Sequence, residues 1–371
     1  MEKFNQSGKI ERIDDVKVNK KQIEAAGMTE RELKNRIKLQ DKKPAAYAKI
    51  IKHSDKIINK ESVALIQLQY NYACNFKCKH CAIEKFKQKD GRTLTVSDVK
   101  RIADQADAMG LASICISGGE PLIFPDLKDV VDAIGPNRFV ISIDTNGWFL
   151  TEEKIKWLVE IGVDRIHLSI DGLEANHNMF RGMKGSWQKC IDALEYCKKY
   201  GLGVIINIVV TKSLIKSGEL IKQLDFIAQF GQHASMIYAK ATGAFEEYKD
   251  EILNTKDLEY IQSLTKKYNA STHLSPNCGH EFGCLCLKRH FSITAYGDVL
   301  PCPWIPISIG NIFNEDLESI VKRGLGIKWF SYDNKYSCLS GNSDTFFYKN
   351  IMPQIEKSDT YPADWKKINW F

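Results

Sequence analysis

Three cysteines stand in the pattern Cys74-x3-Cys78-x2-Cys81, within Cys74-Asn75-Phe76-Lys77-Cys78-Lys79-His80-Cys81. Three thiolates on one short loop can hold three irons of a cubane cluster and leave the fourth iron open to chelate a small molecule. Closed zinc knuckles instead pair their ligands as two short Cys-to-Cys units. No second pair follows within the next thirty residues. A buried structural cysteine cluster and half of a zinc site are the competing accounts.

Downstream loops carry further chemistry. Gly118-Gly119-Glu120-Pro121 lacks side chains where an ammonium group would have to approach backbone carbonyls, although an ordinary tight turn looks the same. Thr145-Asn146-Gly147 and Asp171-Gly172 close two more apolar runs. Each of these loops ends a predicted strand. Strands are expected over 63–70, 113–117, 139–144, 165–170, 203–210 and 235–239, with helices over 95–109, 151–161, 186–200, 217–230 and 254–269 between and after them. Thr95 and Asp98 form a capping box at the start of the first of these helices, and Gly110 stops it. Alternating strands and helices imply a parallel α/β sheet. Six such units curve into a partial (β/α)6 TIM-like barrel, with polar residues gathered at the carboxyl ends of the strands where barrel enzymes place their sites.

The triplet after the first strand and the glycine pair after the second make residues 63 to about 240 resemble the radical S-adenosylmethionine (SAM) enzymes. The resemblance implies that Cys74, Cys78 and Cys81 hold a 4Fe-4S cluster whose open iron binds SAM. Reduction then yields a 5′-deoxyadenosyl radical that abstracts hydrogen from a substrate. Gly118, Gly119 and Glu120 would contact the SAM amino group. Ser169 and Arg181 would meet its carboxylate and ribose, Asn146 the ribose or substrate, and His80 the adenine. For three of these the residues alone offer a plainer reading: a surface arginine for Arg181, a turn-shaping side chain for Asn146, a solvated loop histidine for His80.

The chain has 11 cysteines. Cys115, Cys190 and Cys197 read as small core residues. The other five outside the triplet, Cys278, Cys284, Cys286, Cys302 and Cys338, crowd the last hundred residues. The start of the chain is polar and lysine-rich rather than a signal peptide. A disulfide framework is therefore not expected, metal binding is, and the protein is read as cytoplasmic. Cys286-x10-Gly297-x4-Cys302, with a hairpin over 296–301, resembles the entry to a SPASM or twitch extension, which holds auxiliary 4Fe-4S clusters. With only Cys338 following, one auxiliary cluster is expected. Cys286, Cys302 and Cys338 would be ligands, and Cys278 or Cys284 the fourth. Zinc competes, because His280 and His290 lie close in sequence. Five cysteines for four positions leave a spare thiol, and Cys284 or Cys278 is the candidate catalytic hydrogen donor.

A chain of 371 residues accommodates a barrel plus smaller additions. Three regions are expected: a basic helical extension over 1–60, the radical SAM core over 61–270 and a cysteine-rich extension over 271–371. Net charge is +6. Residues 1–60 hold 16 Lys/Arg against 9 Asp/Glu, so the positive excess sits there. A capping box at Thr29–Glu32 and an amphipathic stretch carrying Tyr47, Ile50, Ile51, Ile57 and Ile58 read as a helical packing arm with a lysine-rich solvated face. The competing reading is a docking surface for an acidic leader peptide or redox protein. No apolar run spans a bilayer. No nucleic-acid motif is present, so neither membrane nor nucleic acid is an expected partner. The expected reductant is of the flavodoxin or ferredoxin type.

For substrate, the resemblance favours a ribosomally synthesised peptide, with L-to-D epimerisation first and thioether or other crosslinking next. A twitch-type small-molecule dehydrogenase or epimerase, or a haem-pathway decarboxylase, is the alternative class. A non-enzymatic iron–sulfur or zinc scaffold is the remote one, since it needs no Gly-Gly-Glu-Pro loop.

Overall fold

A computed structural model describes residues 37–272, 274 and 283–371. The capping box at Thr29–Glu32, Cys278 and His280 lie outside these residues. The sheet is built from β1 (Leu65–Asn71), β2 (Ser113–Gly118), β3 (Val140–Thr145), β4 (Arg165–Ser169), β5 (Gly203–Val210), β6 (His233–Tyr238) and β7 (Ala270–Thr272). They are followed by β8 (His290–Ile293), β9 (Asp298–Leu300), β10 (Ile307–Ser308), β11 (Gly310–Asn311) and β12 (Ala363–Asp364). Strands β1 to β7 pair in parallel in chain order, and the ten-stranded sheet runs β11-β9-β8-β1-β2-β3-β4-β5-β6-β7 without closing. This is the expected partial barrel.

Side-chain alternation explains both faces of the sheet. Ile66, Leu68, Ile114, Ile116, Ile141, Ile143, Ile166, Leu168, Ile206 and Ile208 are buried in one apolar core with helix residues such as Ile102, Val131, Leu158 and Leu194. The intervening positions are polar and face the barrel lumen: Gln67, Cys115, Ser142, Asp144, His167 and Asn207. The helix Val96–Ala108 opens with the expected capping box, Thr95 and Asp98 bonding reciprocally. Two of the helices that were not anticipated lie between barrel strands. Leu127–Ile134 is a short one between β2 and β3, buried through Leu127, Val130, Val131 and Ile134. Glu174–Arg181 follows β4.

The carboxy-terminal extension enters the same sheet. β8 pairs in parallel with β1, Leu65 opposite His290 and Gln67 opposite Ser292. The hairpin β8–β9 forms as expected, with its turn at 294–297. At the other end of the chain, the helices Pro44–Ile50 and His53–Ile58 pack by lysine as much as by apolar contact. Lys43 donates to the carbonyls of Phe139 and Gly162 and to Asp164. Lys49 pairs with Asp107 at 2.7 Å, and Lys56 caps the Met109 carbonyl. These three lysines face the barrel, so the solvated lysine face expected for this arm does not include them.

Candidate active site

The site forms where β1 runs into the cysteine loop. Gly118 has φ +126°, and a Cβ there would fall 2.1 Å from the Asn71 carbonyl oxygen. On Gly119 it would fall 1.9 Å from the Ala73 oxygen. Both contacts are far inside van der Waals range, so only glycine lets the end of β2 lie against the entry to the cysteine loop. The amides of Gly119 and Glu120 donate to Asn71 and Ala73 at 2.8 and 2.9 Å. The glycine pair is thus a backbone seam that fixes the loop, as well as a region free of side chains.

Glu120 continues the seam. Its carboxylate, 1 % exposed, accepts from Thr145 Oγ1 and the Asn146 amide, each at 2.8 Å, and from the Leu122 amide at 3.1 Å. Burial pushes its pKa up to about 7. Asn146 spans from there to the cysteine loop. Its Nδ2 donates to Asn75 Oδ1 at 2.9 Å, while its Oδ1 accepts from the Trp148 amide. Asn146 therefore shapes the turn and also braces the loop. Ser169, half-buried at the end of β4, is linked to it through Cys190, whose thiol lies 3.4 Å from the Asn146 oxygen and 3.7 Å from the Ser169 oxygen.

Arg181 ends the helix Glu174–Arg181 with 8 % exposure, not on the surface. Its Nε and Nη2 donate to Asp171 Oδ2 at 2.6 and 2.5 Å, and its Nη1 reaches to 3.9 Å from Cys78 Sγ. Burial alone would raise the Asp171 pKa, but Arg181 beside it holds the carboxyl below its usual range. Asp171 also accepts from the Val209 amide at 2.7 Å, which ties the pair to β5. His80 is no solvated loop residue. It stacks on Phe180 with ring centres 4.4 Å apart and planes at 7°. Burial, then the nearby Arg181, lowers its pKa to about 3, so it is neutral. Sequence reasoning missed Asp171 as the anchor of Arg181, because nothing in the spacing marks a carboxylate ten residues upstream as its partner.

The triplet thiols are half-buried. Burial raises the pKa of all three, Cys81 to about 11. Arg181 opposes this at Cys78 and Lys87 at Cys81. Such thiols stay protonated until a metal displaces the proton.

A second thiol group lies in the extension. Cys284 Sγ is 3.5 Å from Cys286 Sγ, Cys302 lies near enough for its charge to act on Cys286, and Cys338 feels the charges of Cys284 and Cys302. The Cys284 amide donates to the Tyr336 carbonyl at 2.7 Å, which draws the segment before Cys338 alongside. The Cys286 thiol hydrogen bond, opposed by burial, pulls Cys284 down to about 6, whereas burial drives Cys286 well up. Cys284, expected as either ligand or hydrogen donor, therefore stands inside the group.

One zinc ion gathers tetrahedral sulfurs to roughly 3.8 Å of one another, given Zn–S bonds of about 2.3 Å. Among the described residues, the only three-donor set with all ligand atoms within 4.8 Å is Cys115, Asp144 and His167. Neither cysteine set is that compact. The carboxy-terminal set nevertheless contains one pair, Cys284 and Cys286, as close as a single ion would draw them. Burial lowers the pKa of His290, the zinc competitor's imidazole, to about 4, and the charges of Asp144 and His167 reach it.

The compact set is itself a lumen feature, of which sequence reading noted only Cys115, as a small core residue. His167 Nδ1 lies 2.7 Å from Asp144 Oδ1 and 3.7 Å from Cys115 Sγ. Gln67 Nε2 donates to Asp144 at 2.6 Å and to Ser117 at 3.0 Å. Gln67 Oε1 and His290 Nε2 are buried without a hydrogen-bond partner. The signal was present as polar residues on alternate positions of apolar strands.

Comparison with known proteins agrees with this geometry. Residues 68–217 match the radical SAM superfamily, and residues 284–340 match the SPASM iron-sulfur cluster-binding domain. The chain carries a radical SAM domain followed by a SPASM domain. An AdoMet-dependent heme synthase of Methanosarcina barkeri is 26% identical over 69% of this chain and 81% of its own length. The antilisterial bacteriocin subtilosin biosynthesis protein AlbA of Bacillus subtilis is 24% identical over 68% of this chain and 58% of its own. Streptococcus suis SuiB, solved bound to precursor peptide SuiA, superposes with TM-score 0.57 at 22% identity, covering 74% of this chain and 67% of that one, and shares the fold. The two domains imply a SAM-binding 4Fe-4S cluster, SAM itself and an auxiliary iron–sulfur cluster. No described helix is long and apolar enough to cross a membrane.

Proposed function

We propose that Cys74, Cys78 and Cys81 hold the SAM-binding cluster, that Cys284, Cys286, Cys302 and Cys338 hold the auxiliary one, and that the enzyme abstracts hydrogen from a ribosomally synthesised peptide. When bound, the first cluster and SAM supply a 5′-deoxyadenosyl radical. The chain's own residues do the rest. Gly118 and Gly119 admit a ligand to the backbone beside the loop. Arg181, oriented by Asp171, offers its guanidinium edge to a carboxylate. His80, neutral and stacked, presents an apolar ring. The observation that carries the reading is the convergence of the triplet, the glycine seam and the Asp171–Arg181 pair on one end of the barrel.

Epimerisation is the favoured outcome, with crosslinking next. The peptide reading draws support from the SPASM domain and the similarity to AlbA. With Cys284 in the thiol group, the hydrogen donor falls to Cys278. A small-molecule reading is favoured by the polar lumen and by the heme synthases, which this chain matches over most of their length. Reaction with the peptide encoded by a neighbouring small gene separates these. In heavy water, an epimerised peptide keeps its covalent formula and gains one carbon-bound deuterium, and a crosslinked one loses two hydrogens. No change to any such peptide, with conversion of a small molecule, moves the assignment to the second reading.

A further inference from the structure

Lys240 stands two residues past β6, where the barrel meets the carboxy-terminal thiols. It is 5 % exposed. Its ammonium donates to the Tyr238 carbonyl at 2.6 Å and lies 4.4 Å from the centre of the Trp304 ring. Among the described residues no carboxylate pairs with it. An ammonium has three N–H donors. One carbonyl and a ring face compensate a buried charge poorly, and such a charge calls for an anion.

The thiol segments close on this lysine from two sides. A Cβ on Gly341 would fall 3.0 Å from Cys338 Sγ and 3.2 Å from Lys240 Cε, so the missing side chain is what lets the Cys338 turn pack there. Between them, Ser340 is 1 % exposed, and its hydroxyl is buried without a partner. From the other side, Trp304, whose ring covers the ammonium, is two residues after Cys302. An unpaired cation and an unpaired hydroxyl therefore border the same thiols.

We propose that Lys240 is the counter-cation of the auxiliary cluster and raises its reduction potential. Four thiolates give the cluster a net negative charge that grows by one on reduction. A fixed positive charge in a water-poor site stabilises the reduced form more than the oxidised one. Because the lysine belongs to the barrel, the barrel itself sets the electron affinity of the extension. This inference rests on the four-cysteine ligand set and is independent of the substrate.

The test uses a Cys74→Ala/Cys78→Ala/Cys81→Ala parent, which retains only the auxiliary cluster, titrated electrochemically with EPR detection. Lys240→Met should keep its iron and shift the midpoint to more negative potential, while Lys240→Arg stays near the parent. An unchanged midpoint in an iron-replete Met variant overturns the proposal. If the Met variant loads no iron, Lys240→Gln replaces it. Iron retained by Arg but lost from both Met and Gln supports a required charge. Iron lost from Arg as well shows that shape decides and overturns it. A parent without iron removes the ligand set and this inference together, leaving the peptide reading untouched.

Discussion

The two thiol groups differ in what surrounds them. Cys74, Cys78 and Cys81 are half-buried on a loop whose position is set by backbone contact with β2 and by Asn146 from the end of β3. Three protein donors and a nearby arginine leave room for a ligand. In the extension, Cys284, Cys286 and Cys338 are buried and Cys302 half-buried, giving four donors. There the neighbouring cation is a buried lysine held inside the fold. On the proposed reading, donor count and burial distinguish an open reactive site from a closed electron-handling one, with the same side-chain chemistry in both.

The comparison breaks first at the triplet. Cys74→Ala/Cys78→Ala/Cys81→Ala should abolish 5′-deoxyadenosine release from anaerobically reconstituted, dithionite-reduced protein, while keeping roughly four irons and four sulfides. Equal release from the variant, or zinc in place of iron, would end the contrast between the two groups. Next comes the split within the extension. Cys284→Ala should lose the auxiliary iron, because its sulfur lies 3.5 Å from Cys286. Cys278→Ala should keep both clusters and SAM cleavage but lose the solvent-deuterium label in an epimerised product. Iron loss from Cys278→Ala with none from Cys284→Ala would reverse the two roles.

A smaller effect falls on the brace behind the open site. Asp171→Asn leaves the buried Arg181 guanidinium without its carboxylate, a change that costs about 3–5 kcal/mol. Denaturant unfolding of the reconstituted protein measures it. A loss under 1 kcal/mol would mean that Arg181 finds another anion, and that Asp171 does not position it.

Much of this was legible because strand ends are punctuated. The triplet, Gly118-Gly119 and the Cys286–Cys302 spacing each sit at a strand boundary, and local sequence encodes both the strand and the loop after it. What stayed hidden depended on pairing across the fold. Asp171 was read as part of a turn, yet it anchors Arg181 and ties to β5. Cys115 was read as a small core residue and is buried, but its contact with His167 was not foreseen. The lysines of the amino-terminal arm looked solvated because charge alone does not reveal Asp107, Asp164 and the carbonyls waiting for them. Cys284 could not be separated from Cys278 by counting. The hydrogen bond from the Cys284 amide to the Tyr336 carbonyl joins segments fifty residues apart and sets Cys284 near Cys338, which is why the proposed ligand set takes Cys284.

The subtlest difference between the two regions is in their response to pH, and Glu120 carries it for the open site. Its pKa is pushed up to about 7 by burial, against the ordinary 4.5. A carboxyl with a raised folded pKa binds its proton more tightly when folded. It therefore costs nothing below about pH 4.5. Its penalty then grows as pH rises toward 7 and levels off above, reaching about 3 kcal/mol in full. Glu120→Gln keeps an acceptor for Thr145 and cannot ionise. Wild type should accordingly lose stability between pH 5 and 7.5 more steeply than the glutamine variant, read as the difference in unfolding midpoint at each pH. The Asn146 and Leu122 amides, which favour the anion, set how much of the full penalty survives. Parallel pH profiles for the two proteins would show that these amides offset burial completely, and that the seam joining β2, β3 and the cysteine loop holds its charge without cost.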